Sequence, residues 1–337
     1  MYDLLSQTPE ELAGLLVSLG EPSYRAAQVF SALHGGARDA ADMTALPLKL
    51  RERLAFPRPE PLTEQLSADG TRKLLFGLED GQTVESVLLE YEGSSSENPE
   101  TTVCISSQVG CGQGCAFCAS ALGGKARDLT AGEMLGQVLY CGVPVSRVVM
   151  MGIGEPLDNF ENTVRFLRLL SHPKGLGMSL RRVTVSTCGL VPGILKLADL
   201  GLPVTLSVSL HAPDDETRNI LMPVNRRYGL QELLFSCRMY FMKTGRRVSL
   251  EYALIRGVND APRQAAALAA LLKEDRPHIN LIPLNPVEGK PYRSPPREDA
   301  GRFADVLRQN GLSVTVRRRL GNDIDAACGQ LRRRAAT

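Results

Sequence analysis

From about residue 102 onward, short runs rich in β-branched and apolar residues alternate with segments whose apolar residues recur at helical spacing. Such alternation predicts parallel strands joined by crossover helices, because a parallel connection needs a long return segment and a helix supplies it. We count about seven strand runs, near 103–106, 148–151, 183–187, 204–210, 248–255, 279–284 and 313–317. The predicted fold class is α/β, in the form of a complete or partial (β/α) barrel.

The residues before the barrel follow a different pattern. Thr8, Pro9 and Glu11 form a helix-start signature, and two more helical segments follow, the last ending near residue 54. Two apolar runs on either side of Glu79-Asp80-Gly81 predict a β-hairpin. We therefore expect three parts: a small N-terminal helical accessory domain (1–55), a β-hairpin linker (56–100) and the barrel with a C-terminal segment (101–337).

Composition limits the functional classes. The chain has 337 residues, 43% of them hydrophobic, and a formal net charge of +2, which is too small to indicate a nucleic-acid binder by itself. The charge is uneven, since residues 317–334 hold six arginines against two aspartates. A basic tail is more often a solvated segment, but Cys328 lies between the two arginine triplets.

The cysteine content and the apolar patterning indicate where in the cell the protein is expected to work. Eight cysteines without an N-terminal secretion signal argue against a disulfide scaffold, and no run approaches the roughly 18 apolar residues of a membrane span. We expect a cytoplasmic protein with no membrane partner.

Three of the eight cysteines crowd into eight residues. Cys111, Cys115 and Cys118 lie on a glycine-rich loop directly after the first barrel strand. Three thiolates can hold a cubane iron–sulfur cluster whose fourth iron stays open to chelate S-adenosylmethionine (SAM), so that electron transfer breaks the sulfonium bond. A structural zinc site with Cys104 or a histidine as fourth ligand is the alternative, but zinc sites usually combine two pairs of ligands that lie far apart in the sequence.

Polar residues and glycines follow several other predicted strands. They are Gly154 and Glu155 after the second strand, Ser186 at the third, Ser209, Leu210 and His211 at the fourth, and Asn285 after the sixth. Each alone is more often an ordinary loop residue. Because the carboxyl ends of barrel strands share one rim, we expect the set to bind SAM, with Glu155 receiving its ammonium group.

With these motifs, the chain resembles the radical SAM RNA adenine methyltransferases of the RlmN/Cfr family over nearly its whole length. The matching runs are 15–30, 104–118, 129–133, 152–156, 185–187, 209–213, 221–225, 280–287 and 323–331. The resemblance implies a partial, TIM-like radical SAM barrel with one 4Fe–4S cluster and two SAM molecules used per turnover. It also implies methylation of an adenosine in the peptidyl-transferase centre of 23S rRNA and of the adenosine 3′ of the tRNA anticodon.

The resemblance also assigns roles to residues outside the cluster loop. Cys328 would carry the methyl group, Cys104 would release the product by forming a disulfide with Cys328, and Glu85 would accept the C2 proton. A carrier is needed because C2 of adenine has no lone pair with which to attack a sulfonium methyl group. The implied partners are 23S rRNA, tRNA and a flavodoxin-like or ferredoxin-like electron donor, and the implied oligomeric state is a monomer.

The position of methylation and the presence of catalysis both have alternatives. The motifs LTAGE at 129–133 and DIDAAC at 323–328 favour C2 methylation over C8 methylation, which goes with LTADE and DISAAC. The second alternative is a non-catalytic RNA-binding protein whose cysteines hold a structural metal. Such a module would have no use for Cys104 and Cys328.

Overall fold

The computed structural model describes residues 2–91, 100–275, 277–318, 321 and 323–324. Its α-helices are α1 Pro9–Ser18, α2 Arg25–His34, α3 Leu48–Arg51, α4 Ala131–Leu139, α5 Phe160–Leu170, α6 Val191–Asp199, α7 Asp215–Leu221, α8 Leu230–Thr244, α9 Pro262–Leu271 and α10 Arg297–Gln309. Its strands are β1 Glu60–Leu66, β2 Arg72–Gly77, β3 Thr83–Tyr91, β4 Glu100–Cys104, β5 Gln108–Gly110, β6 Lys125–Asp128, β7 Arg147–Met150, β8 Val183–Thr187, β9 Thr205–Ser209, β10 Val248–Leu254, β11 His278–Pro283 and β12 Ser313–Val316. Short 3₁₀ turns include Leu4–Ser6 and Pro223–Arg226.

The N-terminal helices form as their sequence predicts. Thr8 and Glu11 make a reciprocal capping box, in which the Glu11 amide donates to the Thr8 hydroxyl and the Thr8 amide donates to the Glu11 carboxylate. The segment before α1 is attached to the barrel, because the amide of Gly132 in α4 donates a 2.7 Å hydrogen bond to the Ser6 hydroxyl. A Cβ at Gly132 would lie 2.6 Å from the Asp3 carboxylate, so this close approach requires glycine.

One ten-stranded sheet organises most of the chain. Its order is β1-β2-β3-β4-β7-β8-β9-β10-β11-β12; the pairs from β1 to β4 are antiparallel, and those from β4 to β12 are parallel. The seven parallel strands lie where the sequence predicts them, which confirms the α/β class and the barrel type of sheet. The predicted hairpin is also present, with Leu75 of β2 opposite Glu85 of β3.

The sequence does not predict β1, because three prolines between residues 57 and 61 favour an irregular segment. In the structure Pro61 lies on the edge strand, which tolerates proline, and the register shifts between Pro61 and Thr63. β3 pairs directly with β4, so the hairpin continues the barrel sheet.

The parallel part of the sheet is curled. Five strand spacings separate β7 from β12 in the sheet order, which would be about 24 Å in a flat sheet. Yet Arg317, just after β12, lies 3.8 Å from the sulfur of Met151, just after β7, and 3.6 Å from the Glu251 carboxylate on β10. The sheet therefore bends into a partial barrel whose strand ends face one another.

None of the helices in the described ranges has both the length and the apolar character needed to cross a membrane.

Candidate active site

The loop that carries the three clustered cysteines is framed by its own small sheet. β5 and β6 pair antiparallel on either side of it, and the Cys111 amide donates a 2.9 Å hydrogen bond to the Gly124 carbonyl. Gly110 has φ +81°, and a Cβ there would lie 2.0 Å from the Gly124 oxygen. Only glycine fits at this position, and it allows the two ends of the loop to lie in direct contact.

The three thiols are free and half-buried. Burial raises the pKa of Cys111 to about 11, with the neighbouring Cys118 acting in the same direction, and burial likewise raises the pKa of Cys115. A bound metal centre would favour the thiolates that burial disfavours. Thus the donor set suits a cationic group placed among the three sulfurs.

A single-ion site would need a different arrangement. Among the described side chains, no three His, Cys, Asp or Glu residues converge in a way that could hold one metal ion. A cubane cluster makes another demand, because each thiolate bonds a different iron and the ligands need not meet at one point.

The loop after β7 packs directly on the chain leading to the cysteines. The amides of Ser107 and Gln108 both donate to the Ile153 carbonyl, at 2.8 and 3.1 Å. Gly154 has φ +112°, and a Cβ there would lie 2.7 Å from the Gln108 amide nitrogen and from the Ser107 hydroxyl. Glycine at 154 is required both by its backbone conformation and by this contact.

Glu155 joins the ends of two neighbouring strands. Its buried carboxylate accepts hydrogen bonds from the Leu157 amide at 3.0 Å and from the Cys188 amide, just past β8, at 2.7 Å. Burial raises the pKa of Glu155, while these two amides act in the opposite direction. Each carboxylate oxygen can accept a further hydrogen bond, which is what contact with an ammonium group requires. That contact stays a prediction.

His211 is held in one tautomer after β9. Its φ is +58°, and its Nδ1 accepts a 2.9 Å hydrogen bond from the Ala253 amide, which leaves the proton on Nε2. Burial lowers the pKa of His211 to about 3, and nearby Arg218 acts in the same direction, so the ring is neutral at pH 7. The ring meets Phe117 of the cysteine loop edge-to-face, with centroids 5.0 Å apart.

Arg218 is a site residue that the sequence analysis missed. Its side chain is 0% exposed and donates to the carbonyls of Cys188, Ser209 and Leu210 at 2.7 to 3.0 Å, and to Asn225 Oδ1 at 2.8 Å. It thus connects the ends of β8 and β9. An arginine on a short polar helix usually indicates a solvent-facing position, so residue type gave no reason to place Arg218 in the site. The one sequence feature that could have indicated it is its partner Asn225, which lies inside the matching run 221–225.

The remaining predicted cofactor residues also lie at strand ends. Ser186 is the penultimate residue of β8, Ser209 is the last of β9, and Asn285 follows β11 by two residues. All three are half-buried. The structure brings them to the same rim as Gly154, Glu155, Leu210 and His211.

Cys104 and Glu85 lie together at the antiparallel side of this rim. Cys104 is the last residue of β4 and is 9% exposed; burial raises its pKa to about 11, while Arg317 and Lys73 act in the opposite direction. The Glu85 carboxylate on β3 is 2.9 Å from the Lys73 ammonium on β2. Lys73 was also missed, because a lysine at the start of a strand usually indicates exposure.

Cys328 lies outside the described residues, but the chain shortly before it is anchored. The Asp323 carboxylate accepts hydrogen bonds from the Ser67 hydroxyl and, at 2.8 Å, from the Ala68 amide. The Gly321 amide donates to the Asp69 carboxylate at 2.7 Å. The turn between β1 and β2 therefore holds the segment that leads to Cys328.

Comparison with known proteins adds two family models. Residues 105–270 match the radical SAM superfamily, and residues 2–56 match the ribosomal RNA large subunit methyltransferase N-terminal domain. A radical SAM methyltransferase from Sphaerobacter thermophilus has a similar structure, with a TM-score of 0.92 and 45% identity over 98% of this chain and 99% of its own.

Two curated relatives are similar along almost their full length. Both are named probable dual-specificity RNA methyltransferase RlmN. The one from Symbiobacterium thermophilum is 48% identical over 97% of this chain and 90% of its own, and the one from Pelotomaculum thermopropionicum is 50% identical over 96% and 90%.

The chain belongs to the RlmN family. It is a radical SAM RNA methyltransferase, so the prediction of an enzyme is confirmed and the alternative of a non-catalytic binding protein is wrong. The radical SAM superfamily uses a 4Fe–4S cluster and SAM. In this RlmN chain the three free thiols and the glycine-lined loop at Gly154 suit these two groups.

Proposed function

We propose that this enzyme methylates C2 of an adenosine in 23S rRNA and of the adenosine 3′ of the anticodon in tRNA, by way of a methylated Cys328. One arrangement carries the proposal. Cys104 and Glu85, the thiol and the carboxylate that such a route requires, lie close together beside the strand end from which the three-cysteine loop departs. The dual specificity printed in the relatives' names supports two RNA substrates.

The cofactors would be held by residues of one rim. Cys111, Cys115 and Cys118 would ligate one 4Fe–4S cluster, and Gly154, Glu155, Ser186, Ser209, Leu210, His211 and Asn285 would bind SAM, two molecules of which are used per turnover. When bound there, these groups supply a radical able to remove a hydrogen atom from an S-methyl group. Neutral His211 and the half-buried strand-end residues offer hydrogen bonds without adding charge.

The protein's own residues would carry the methyl group and the proton. Cys328, as thiolate, takes a methyl group from SAM by displacement. After the methylene carbon has bonded to C2, the adduct must lose one electron, for which the cluster would be the acceptor, and Glu85 accepts the C2 proton. The Cys104 thiolate then attacks the Cys328 sulfur. The S–S bond forms, the bond from the Cys328 sulfur to the methylene carbon breaks with its electron pair left on that carbon, and the carbon takes up a proton, so that the methylated base leaves.

The accessory parts have proposed roles as well. Residues 1–55 would act as an RNA-binding accessory domain, for which the match to a ribosomal RNA methyltransferase N-terminal domain gives support. Residues 56–100 would act as a linker, and 101–337 as the catalytic barrel with its cysteine-bearing C-terminal segment. A flavodoxin-like or ferredoxin-like protein would donate the electron to the cluster. The enzyme would act as a monomer.

The test is a reaction of reconstituted enzyme with methyl-deuterated SAM and fragments of 23S rRNA or tRNA. We expect 2-methyladenosine with two deuterium atoms in its methyl group, together with a methylated Cys328 peptide. Three deuterium atoms would mean direct polar transfer and would contradict the carrier role. A product that matches the 8-methyladenosine standard would replace C2 by C8.

A further inference from the structure

The strand register aligns Lys73 with two candidate catalytic residues. Lys73 of β2 lies opposite Val87 of β3, and Val87 lies opposite Cys104 of β4. Residues directly opposite one another in a sheet project from the same face, and so do residues two apart on one strand. Lys73, Cys104 and Glu85 therefore share one face across three adjacent strands.

Lys73 and Glu85 form an ion pair in the protein interior. The Lys73 side chain is 0% exposed and the Glu85 side chain 3%, and the ammonium nitrogen lies 2.9 Å from Glu85 Oε2. The main chain around the carboxylate is fixed too, because the Ser106 hydroxyl donates a 2.6 Å hydrogen bond to the Glu85 carbonyl.

Stability alone does not explain this pair. Removing two charges from water costs about as much as their attraction returns, and a well-packed apolar pair of similar volume often stabilises a fold equally well or better. Elsewhere the same sheet face supplies apolar partners, Val87 among them. A buried lysine facing a buried glutamate therefore indicates a use for the charges.

We propose that Lys73 is a positioning residue for Glu85: its ammonium group, 2.9 Å from Oε2, holds the carboxylate in place beside Cys104, where it accepts the proton from C2. This inference rests on the proposed function. In the step concerned, the C–H bond at C2 breaks, its electron pair stays with the adenine ring, and the proton moves to a Glu85 oxygen. Lys73 takes no part in the proton transfer itself.

The test separates the two halves of the reaction in single-turnover experiments. In Lys73→Met we expect methylation of Cys328 at the wild-type rate, since that half does not need Glu85. After RNA is added, a covalent protein–RNA adduct should accumulate on denaturing gels, and release of methylated RNA should fall at least about tenfold. Lys73→Arg, which keeps the positive charge, should restore most of the release.

Two further variants keep the test decisive. Lys73→Gln preserves a hydrogen-bond donor without the charge, and should behave as Lys73→Met does if the methionine variant folds poorly. In the double variant Lys73→Met/Glu85→Gln, release should be no slower than in Glu85→Gln alone, because a residue that acts through Glu85 has no further effect once that carboxylate is gone. A further fall in the double variant would show that Lys73 acts instead on the Cys104 thiol, whose pKa it also lowers, and would overturn the positioning role.

The matched control is Arg72→Met. Arg72 is the preceding residue on β2, projects from the opposite face and pairs with Glu64. It should give wild-type release and no adduct.

Wild-type release by Lys73→Met, or loss of Cys328 methylation together with release, would overturn the positioning role. Equal failure of Lys73→Arg and Lys73→Met in folded protein would also overturn it. Absence of methylated Cys328 in the wild-type enzyme would instead refute the proposed function itself.

Discussion

The Arg218 guanidinium donates a 2.8 Å hydrogen bond to Asn225 Oδ1 and reaches three main-chain carbonyls with its other N–H groups. Those carbonyls end two neighbouring strands, and Asn225 in turn donates to the Asp215 carboxylate at 2.8 Å. One buried cation thus fixes several segments of the rim at once.

Replacing Arg218 with methionine should therefore destabilise the fold. Three buried carbonyls would lose a donor, at about 1–3 kcal/mol each, so we expect the free energy of unfolding to fall by at least about 3 kcal/mol. Urea denaturation measures the change. The control is Arg168→Met at an exposed position on α5, and a loss below about 1 kcal/mol at Arg218 would contradict the prediction.

Gly154→Ala should weaken SAM binding at least about tenfold. The added Cβ would overlap the Gln108 amide nitrogen and the Ser107 hydroxyl, so the loop that carries Glu155 must move. Equilibrium dialysis measures the affinity. Gly257→Ala is the control, since Gly257 also has a positive φ but a Cβ added there would meet no atom within 4 Å. Equal losses of SAM affinity in the two variants would mean that backbone strain, and not the contact at Gly154, causes the effect.

His34→Phe should flatten the acid side of the stability profile. Burial lowers the pKa of His34 from 6.5 to about 4, so between these values the unfolded chain binds a proton that the folded chain does not. Stability is then lost as the pH falls, at up to about 1.4 kcal/mol per pH unit. Phenylalanine keeps the ring stacked on Phe30 and removes the titration. Parallel denaturation curves for the two proteins from pH 6.5 to 4 would refute this.

Asp323→Ala should slow methylation of Cys328 without changing the affinity for SAM. The substitution removes the acceptor for the Ser67 hydroxyl and the Ala68 amide, and thereby frees the segment that leads to Cys328. Mass analysis of the Cys328 peptide over time gives the rate. Asp305→Ala, which breaks an exposed pair with Arg308 on α10, should leave the rate unchanged. Equal rates in both variants would show that the contact has no positioning role.

The sequence predicted the parallel strands well because their runs of β-branched and apolar residues stand out from the helical segments between them; β8, for example, begins and ends at the predicted residues. It missed β1 because local proline chemistry does not reveal that an edge strand tolerates Pro61. It missed Arg218 and Lys73 for a different reason. Their burial depends on partners far along the chain or on a neighbouring strand, and residue type alone predicts both as solvent-facing.

The contacts of Gly321 and Asp323 with the turn between β1 and β2 join the two ends of the sheet order without any strand pairing. A fully circular ladder would have to break rows of main-chain hydrogen bonds to admit a large guest. Among the described residues, three hydrogen bonds accepted by carboxylates hold this seam, each worth about 1.5–3 kcal/mol. Breaking these contacts would therefore separate the two ends of the sheet order while every described strand keeps its neighbours.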